Sequence, residues 1–139
     1  RITLQGRNQY DGVTVSIPNT ASATTSEDGS YVLADVPPGS YTVTVRMSGY
    51  LKTYREGITV SAETETLLPD VMLHGGDANN DCRVNLSDLV IVTSNFGSSP
   101  PTDPRADTNQ DGHVDIFDLV LVSMNLGQEC PGSWLSSVR

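Results

Sequence analysis

Two twelve-residue stretches, 77–88 and 107–118, constrain this chain more than anything else in it. They read Asp77-Ala78-Asn79-Asn80-Asp81-Cys82-Arg83-Val84-Asn85-Leu86-Ser87-Asp88 and Asp107-Thr108-Asn109-Gln110-Asp111-Gly112-His113-Val114-Asp115-Ile116-Phe117-Asp118. Oxygen-bearing side chains stand at positions 1, 3, 5, 9 and 12 of both, the ligand spacing of a calcium loop. A hard cation takes about six to eight oxygens at short range. Such a loop supplies them from alternate side chains, from the backbone carbonyl at position 7 (Arg83 and His113) and from a carboxylate at position 12. Asx-rich surface turns use the same residue types, but the pattern here occurs twice at a fixed offset.

The offset is thirty residues and extends past the loops. Asp77, Asn79, Asp81, Val84, Asp88, Leu89, Val90, Val92, Asn95 and Gly97 recur as Asp107, Asn109, Asp111, Val114, Asp118, Leu119, Val120, Val122, Asn125 and Gly127. Each unit is therefore a loop and one apolar helix, starting near position 10 and stopped by Asn-Phe-Gly or Asn-Leu-Gly. An ordinary EF-hand also has a helix entering the loop and Glu at position 12. Here His74-Gly75-Gly76 and Pro104 precede the loops, and Asp closes both. The duplicated loop-helix unit over 77–127 resembles the type I dockerin repeat. The resemblance implies a small all-α module that binds two Ca2+ and docks onto a cohesin domain of a scaffoldin or cell-surface protein.

The loops differ in charge. Loop 1 carries three carboxylates (Asp77, Asp81, Asp88) with Asn79 and Asn85 neutral; loop 2 carries four (Asp107, Asp111, Asp115, Asp118) with Asn109 neutral. More ligand charge favours tighter binding, which ranks loop 2 first. Position 6 turns sharply and favours Gly. Loop 2 has Gly112, but loop 1 has Cys82, a departure that costs on the order of 1 kcal/mol if its φ is positive. Cys82 and Cys130 are the only cysteines. In the dockerin fold the two units pack with approximate twofold symmetry, which implies a Cys82–Cys130 disulfide. Two buried thiols, or pairing with another chain, are the rival readings.

Residues 1–75 follow a different rule. Ile2/Leu4, Val13/Val15/Ile17, Tyr31/Leu33, Tyr41/Val43/Val45, Ile58/Val60 and Val71/Leu73 alternate with period two, the mark of half-buried strands. Asp11-Gly12, Pro18-Asn19, Glu27-Asp28-Gly29, Pro37-Pro38-Gly39, Ser48-Gly49 and Glu56-Gly57 separate them as turns. Short, frequent strands of this kind predict a small β-sandwich. The runs Asp28-Gly29-Ser30-Tyr31, Val36-Pro37-Pro38-Gly39-Ser40-Tyr41-Thr42-Val43 and Gly49-Tyr50 resemble the carboxypeptidase regulatory-like domain. That family implies a transthyretin-like (immunoglobulin-like) sandwich and a structural role rather than a chemistry. The expected organisation is an X-module-like β-sandwich over 1–75, a dockerin over 76–132 and a C-terminal tail over 133–139. Gly75-Gly76 is expected to be a hinge too short to let the halves swing freely. The proline-rich link 98–106 is expected to run extended, with one helical turn starting near Thr102.

The helices are apolar nearly all round. Leu89, Val92 and Phe96, with Leu119, Val122 and Leu126, form the stripe expected to face the core, joined by Val84 and Val114. That leaves Leu86, Ser87, Val90, Ile91, Ile116, Phe117, Val120, Leu121 and Met124 as candidates for a partner face, since large exposed apolar patches mark docking sites. In the dockerin family, loop positions 10 and 11 recognise cohesin; here they are Leu86-Ser87 and Ile116-Phe117. The family's usual small hydroxyl pair is mostly missing, which points to a more hydrophobic interface with two inequivalent orientations.

Among other functions, nucleic acid and anionic membrane are disfavoured by a net charge of −9 over 139 residues. No apolar run is long enough to span a membrane. An enzyme is not indicated. His113 offers only a backbone carbonyl and His74 sits by the hinge; no nucleophile elbow or zinc spacing occurs, and the carboxylates are spaced as calcium ligands rather than as a glycosidase pair. Tyr10, Tyr31, Tyr41, Tyr50 and Tyr54 read as sandwich packing rather than as a sugar platform. Trp134 either covers apolar surface or trails free. The reading is a non-catalytic, calcium-ordered docking module of a secreted or cell-surface, cellulosome-like assembly serving polysaccharide catabolism. The alternative is a calcium-stabilised structural cap or spacer with no cohesin partner.

Overall fold

The computed structural model describes residues 1–132 and Trp134; the rest of the tail expected over 133–139 lies outside the described residues. Four strands form an antiparallel sheet: β2 (Thr14–Ile17), β3 (Ala21–Thr24), β4 (Gly39–Arg46) and β6 (Thr53–Val60), in the order β3-β2-β4-β6. Val15 pairs with Ala23 on one side and Val45 on the other, so the apolar alternation of β2 and β4 lands on one face. Facing it is a thinner layer built on the parallel pair β1 (Ile2–Leu4) and β7 (Val71–Leu73), with Ile2 opposite Val71 and Leu4 opposite Leu73. Ile2, Leu4, Val13, Val15, Ile17, Val43, Val45, Val71 and Leu73 fill the space between the layers.

Two strand expectations change. Tyr31 and Leu33 pair with no neighbour, although both pack half-buried against the core. Asp35 turns the chain with φ 57°, and Pro37 and Pro38 have no N–H to give a ladder. β3, in contrast, has no apolar alternation in Ala-Ser-Ala-Thr. It forms because the 18–20 turn, with Asn19 at φ 58° and Thr20 N donating to the Ile17 carbonyl at 3.1 Å, folds it back on β2.

Gly75-Gly76 is not a hinge. Gly75–Asp77 is a buried strand, β8, paired antiparallel with β5 (Gly49–Tyr50). Glycine is required there by close approach. A Cβ on Gly75 would stand 2.7 Å from the Leu121 side chain, and one on Gly76, at φ +101°, would stand 2.9 Å from the Val122 backbone. The boundary placed at 75/76 thus falls inside a paired strand.

The C-terminal half is two loop-helix units. α1 (Leu86–Ser94) and α2 (Ile116–Asn125) both begin at loop position 10. Asn85 and Asp115 are N-caps, each in a capping box with the Asp three residues on, so loop positions 9 and 12 also start the helices. Each loop then pairs with the segment after the other helix. Val84 N donates to Gln128 O (2.9 Å) and Gly127 N to Val84 O (2.8 Å); Val114 N donates to Ser98 O (3.0 Å) and Gly97 N to Val114 O (2.8 Å). In the proline-rich link a single 3-10 turn, Pro104–Ala106, is capped by Asp103.

Val84, Val92, Val114, Val122 and Ala106 make the core of this half, with Leu89 and Leu119 half-buried beside it. Phe96 and Leu126, expected in that core, are exposed because both helices end before them and the chain turns outward. Their place is taken by Leu51, which belongs in sequence to the sandwich yet is fully buried among the helical residues. The exchange is mutual, because Trp134 returns to the sandwich core and donates its indole N–H to the Pro69 carbonyl at 3.1 Å.

Candidate functional site

The two acidic loops share one pattern of backbone N–H bonds to the carboxylates at positions 1 and 12. The position-5 N–H donates to Oδ1 of position 1 at 3.1 Å in both, Asp81 to Asp77 and Asp111 to Asp107. The position-6 N–H reaches the other oxygen of that carboxylate, from Cys82 at 3.0 Å and from Gly112 at 2.9 Å. The closing carboxylate accepts from positions 3 and 9: Asp88 from Asn79 (3.2 Å) and Asn85 (2.8 Å), Asp118 from Asn109 (3.2 Å) and Asp115 (2.8 Å). These bonds aim positions 1, 5 and 12 at the loop centre. Position 6 has positive φ in both loops, 67° at Cys82 and 91° at Gly112. The Cys82 strain foreseen from the sequence is present, and Cys82 is disulfide-bonded to Cys130 with Cα atoms 5.1 Å apart.

The electrostatics favour a cation. In loop 1 the carboxylates of Asp77, Asp81 and Asp88 place ligand oxygens within 4.8 Å of one another. Asp77 and Asp88 are buried, as are Asp107 and Asp118. Among the described residues none of the loop carboxylates is paired with a lysine or arginine. Burial, with the charges of Asp88 and Asp81 behind it, pushes the Asp77 carboxyl up to about 6 against the opposing N–H bonds of Cys82 and Asp81. Asp118 is likewise raised by burial. A convergent, all-oxygen, anionic donor set with no protein counter-charge fits a hard divalent cation. Asp77, Asn79, Asp81, Asn85 and Asp88 with the Arg83 carbonyl would hold one; Asp107, Asn109, Asp111, Asp115 and Asp118 with the His113 carbonyl would hold another. Loop 2 leads on charge, but loop 1 is the more convergent; Asp118 also accepts bonds from Thr108 N (2.8 Å) and its hydroxyl (3.2 Å), where loop 1 has Ala78.

The second feature is apolar. Leu86, Val90, Ile116, Phe117, Val120 and Met124 are exposed, Phe117 by 65 % of its surface. Ser87 is exposed and Ile91 half-buried. Leu121 corrects the expectation: it is 3 % exposed and packs against Gly6 and Gly75. Its equivalent in the first repeat, Ile91, is half-buried against the helical core, whereas α2 packs on β8. Tyr50 is buried with its hydroxyl on the Gln5 carbonyl, Tyr41 bonds Pro37, and only Tyr54 is largely exposed.

A thin β-sandwich that continues without a linker into two acidic loop-helix units, one of them with carboxylates clustered as a metal site, defines a composite module. The chain belongs to the carboxypeptidase regulatory-like family, whose model matches residues 1–74, and it continues as a dockerin type I domain over 75–127. Dockerin type I domains bind calcium and belong to extracellular or cell-surface proteins. No curated protein matches the chain. Two solved structures resemble it along nearly its whole length, both type II cohesin–X-dockerin complexes from Acetivibrio cellulolyticus. The C-terminal interface mutant matches at TM-score 0.73 and 29% identity, covering 86% of this chain and 83% of that one. The N-terminal interface mutant matches at TM-score 0.78 and 26% identity, covering 92% and 93%. No helix among the described residues is long and apolar enough to cross a membrane.

Proposed function

We propose that this chain is a calcium-ordered docking module: the dockerin half binds a cohesin and so attaches its parent protein to an extracellular, cellulosome-like or cell-surface assembly. The observation that carries the reading is the exposed apolar face of Leu86, Val90, Ile116, Phe117, Val120 and Met124, set on helices whose starts are fixed by the cation ligands themselves. Each loop takes one Ca2+. The ion offsets the buried carboxylates, and the loop residues hold the helix N-termini in place. The order of sandwich and dockerin, and the resemblance to X-dockerin, favour a type II cohesin. The face fits that assignment, since it presents aliphatic and aromatic groups where a hydroxyl pair would mark the other type.

Phe117 has only Ser87 as its counterpart in the first repeat, so the two halves of the face are unequal and one orientation dominates. The structural-cap alternative needs this face covered by the sandwich, and Leu121 is the only candidate residue that is fully so.

Calorimetric titration against type I and type II cohesins, in calcium and again in excess chelator, tests the reading. A type II cohesin is expected to bind only in calcium. Phe117→Ala is expected to weaken that binding by about 2 kcal/mol or more, and Leu86→Ala by less. Absence of binding to either type in calcium sinks the docking function.

A further inference from the structure

The fourth residue of each loop, Asn80 and Gln110, is no ligand in the calcium spacing. Both nevertheless share two properties. Each lies in the left-handed region, at φ 56° and 59°, with its N–H on the position-1 carbonyl: Asn80 to Asp77 at 3.1 Å and Gln110 to Asp107 at 3.3 Å. Each also sends its amide side chain out of the loop to the sandwich. Asn80 accepts from Gly49 N at 2.8 Å and donates to the Ser48 hydroxyl at 3.1 Å. Gln110 accepts from Arg7 Nη1 at 3.0 Å. The sandwich contacts lie on different turns, so the same loop position is gripped twice by unrelated residues.

The grip sits where the loop makes its turn. Position 4 stands between ligands 3 and 5, and its left-handed backbone turns the chain so that both point inward. Asp77, ligand 1 of loop 1, is itself held opposite Gly49 in the β5–β8 pair. At loop 2, Gly6 comes within reach of Asn109, ligand 3. A side chain forced into this backbone region, or left free to leave it, costs ordering that cation binding must otherwise supply.

We propose that the sandwich is part of the cation-binding device: through Ser48–Gly49 on Asn80 and Arg7 on Gln110, it pre-sets both loops and raises their calcium affinity. By linkage, calcium strengthens the contact of the two halves by the same factor. The proposal rests on both loops being calcium sites, and it is independent of which cohesin docks.

The test is calcium titration of the full chain by competition with a chromophoric chelator, resolving two dissociation constants. Asn80→Gly and Gln110→Gly keep the left-handed backbone accessible while removing the amide. Each is expected to raise one dissociation constant roughly three- to tenfold and leave the other unchanged. Arg7→Met is expected to match Gln110→Gly, and the double variant to show no further loss, which separates positioning from general destabilisation. Unchanged constants with a lowered melting temperature in chelator would make these contacts merely structural and overturn the proposal. Failure of the unaltered chain to bind two calcium ions would instead overturn the reading of the loops on which it stands.

Discussion

Gly76 shows how one residue can be fixed by a neighbour far along the chain. At φ +101° and with the Val122 backbone where a Cβ would stand, 2.9 Å away, it admits no side chain. Gly76→Ala is expected to destabilise the protein by about 2 kcal/mol or more, combining left-handed strain with overpacking. Denaturant melting in calcium measures it; a loss below half that figure would mean that β8 can move off α2. At this scale the sequence is informative wherever a residue type declares its constraint. Gly112 announces the turn at position 6, and through the duplication it exposes Cys82 as strained. Position 4 carries the same backbone sign without the announcement, because Asn and Gln are also ordinary loop residues. Gly75-Gly76 misleads in the same way, since glycine for flexibility and glycine for close packing are written alike.

The helices are elements started by the same loop residues that are proposed as metal ligands. Asp118 caps α2 by accepting from Asp115 N at 2.8 Å, and in the proposed site it also closes loop 2. These roles separate by substitution. Asp118→Asn keeps an acceptor oxygen for the cap and removes the buried charge. In chelator its melting temperature is expected to stay close to that of the unaltered chain, because relief of the buried charge is opposed by the loss of an acceptor for the Thr108 and Asn109 N–H groups. In calcium it is expected to fall below, as one ion is lost. Asp118→Ala is expected to lose about 1 kcal/mol in chelator as well. Equal melting of Asp118→Asn and the unaltered chain in calcium would remove Asp118 from the ligand set. Both helices were legible because caps, ligands and repeat agree on their first residue. Their ends were not: the apolar stripe runs on to Phe96 and Leu126, but the backbone leaves the helix first, and periodicity does not record where a chain turns away.

At the scale of the molecule, the two halves trade residues across their seam. Leu51 leaves the sandwich to complete the helical core, and Trp134 leaves the helical half to complete the sandwich core. Beside them Gly132 N donates to Lys52 O at 3.0 Å, the Thr53 hydroxyl donates to the Gly132 carbonyl, and the Cys82–Cys130 disulfide anchors the segment after α2 to loop 1. Both families were readable from local motifs, yet neither Leu51 nor Trp134 lies in one. A lone apolar residue buried by the other half leaves no periodic trace, which is why the two touching units were legible in the sequence and the interlocked seam between them was not. The consequence is cooperative. In calcium the chain is expected to melt in a single calorimetric transition, with calorimetric and van't Hoff enthalpies equal. Leu51→Ala empties a fully buried leucine site and is expected to cost about 2–5 kcal/mol. That loss should move the whole transition rather than split off a helical one, because the seam holds the two cores to a common fate. Two separable transitions in the unaltered, calcium-loaded chain would show that the exchanged side chains pack without coupling the halves.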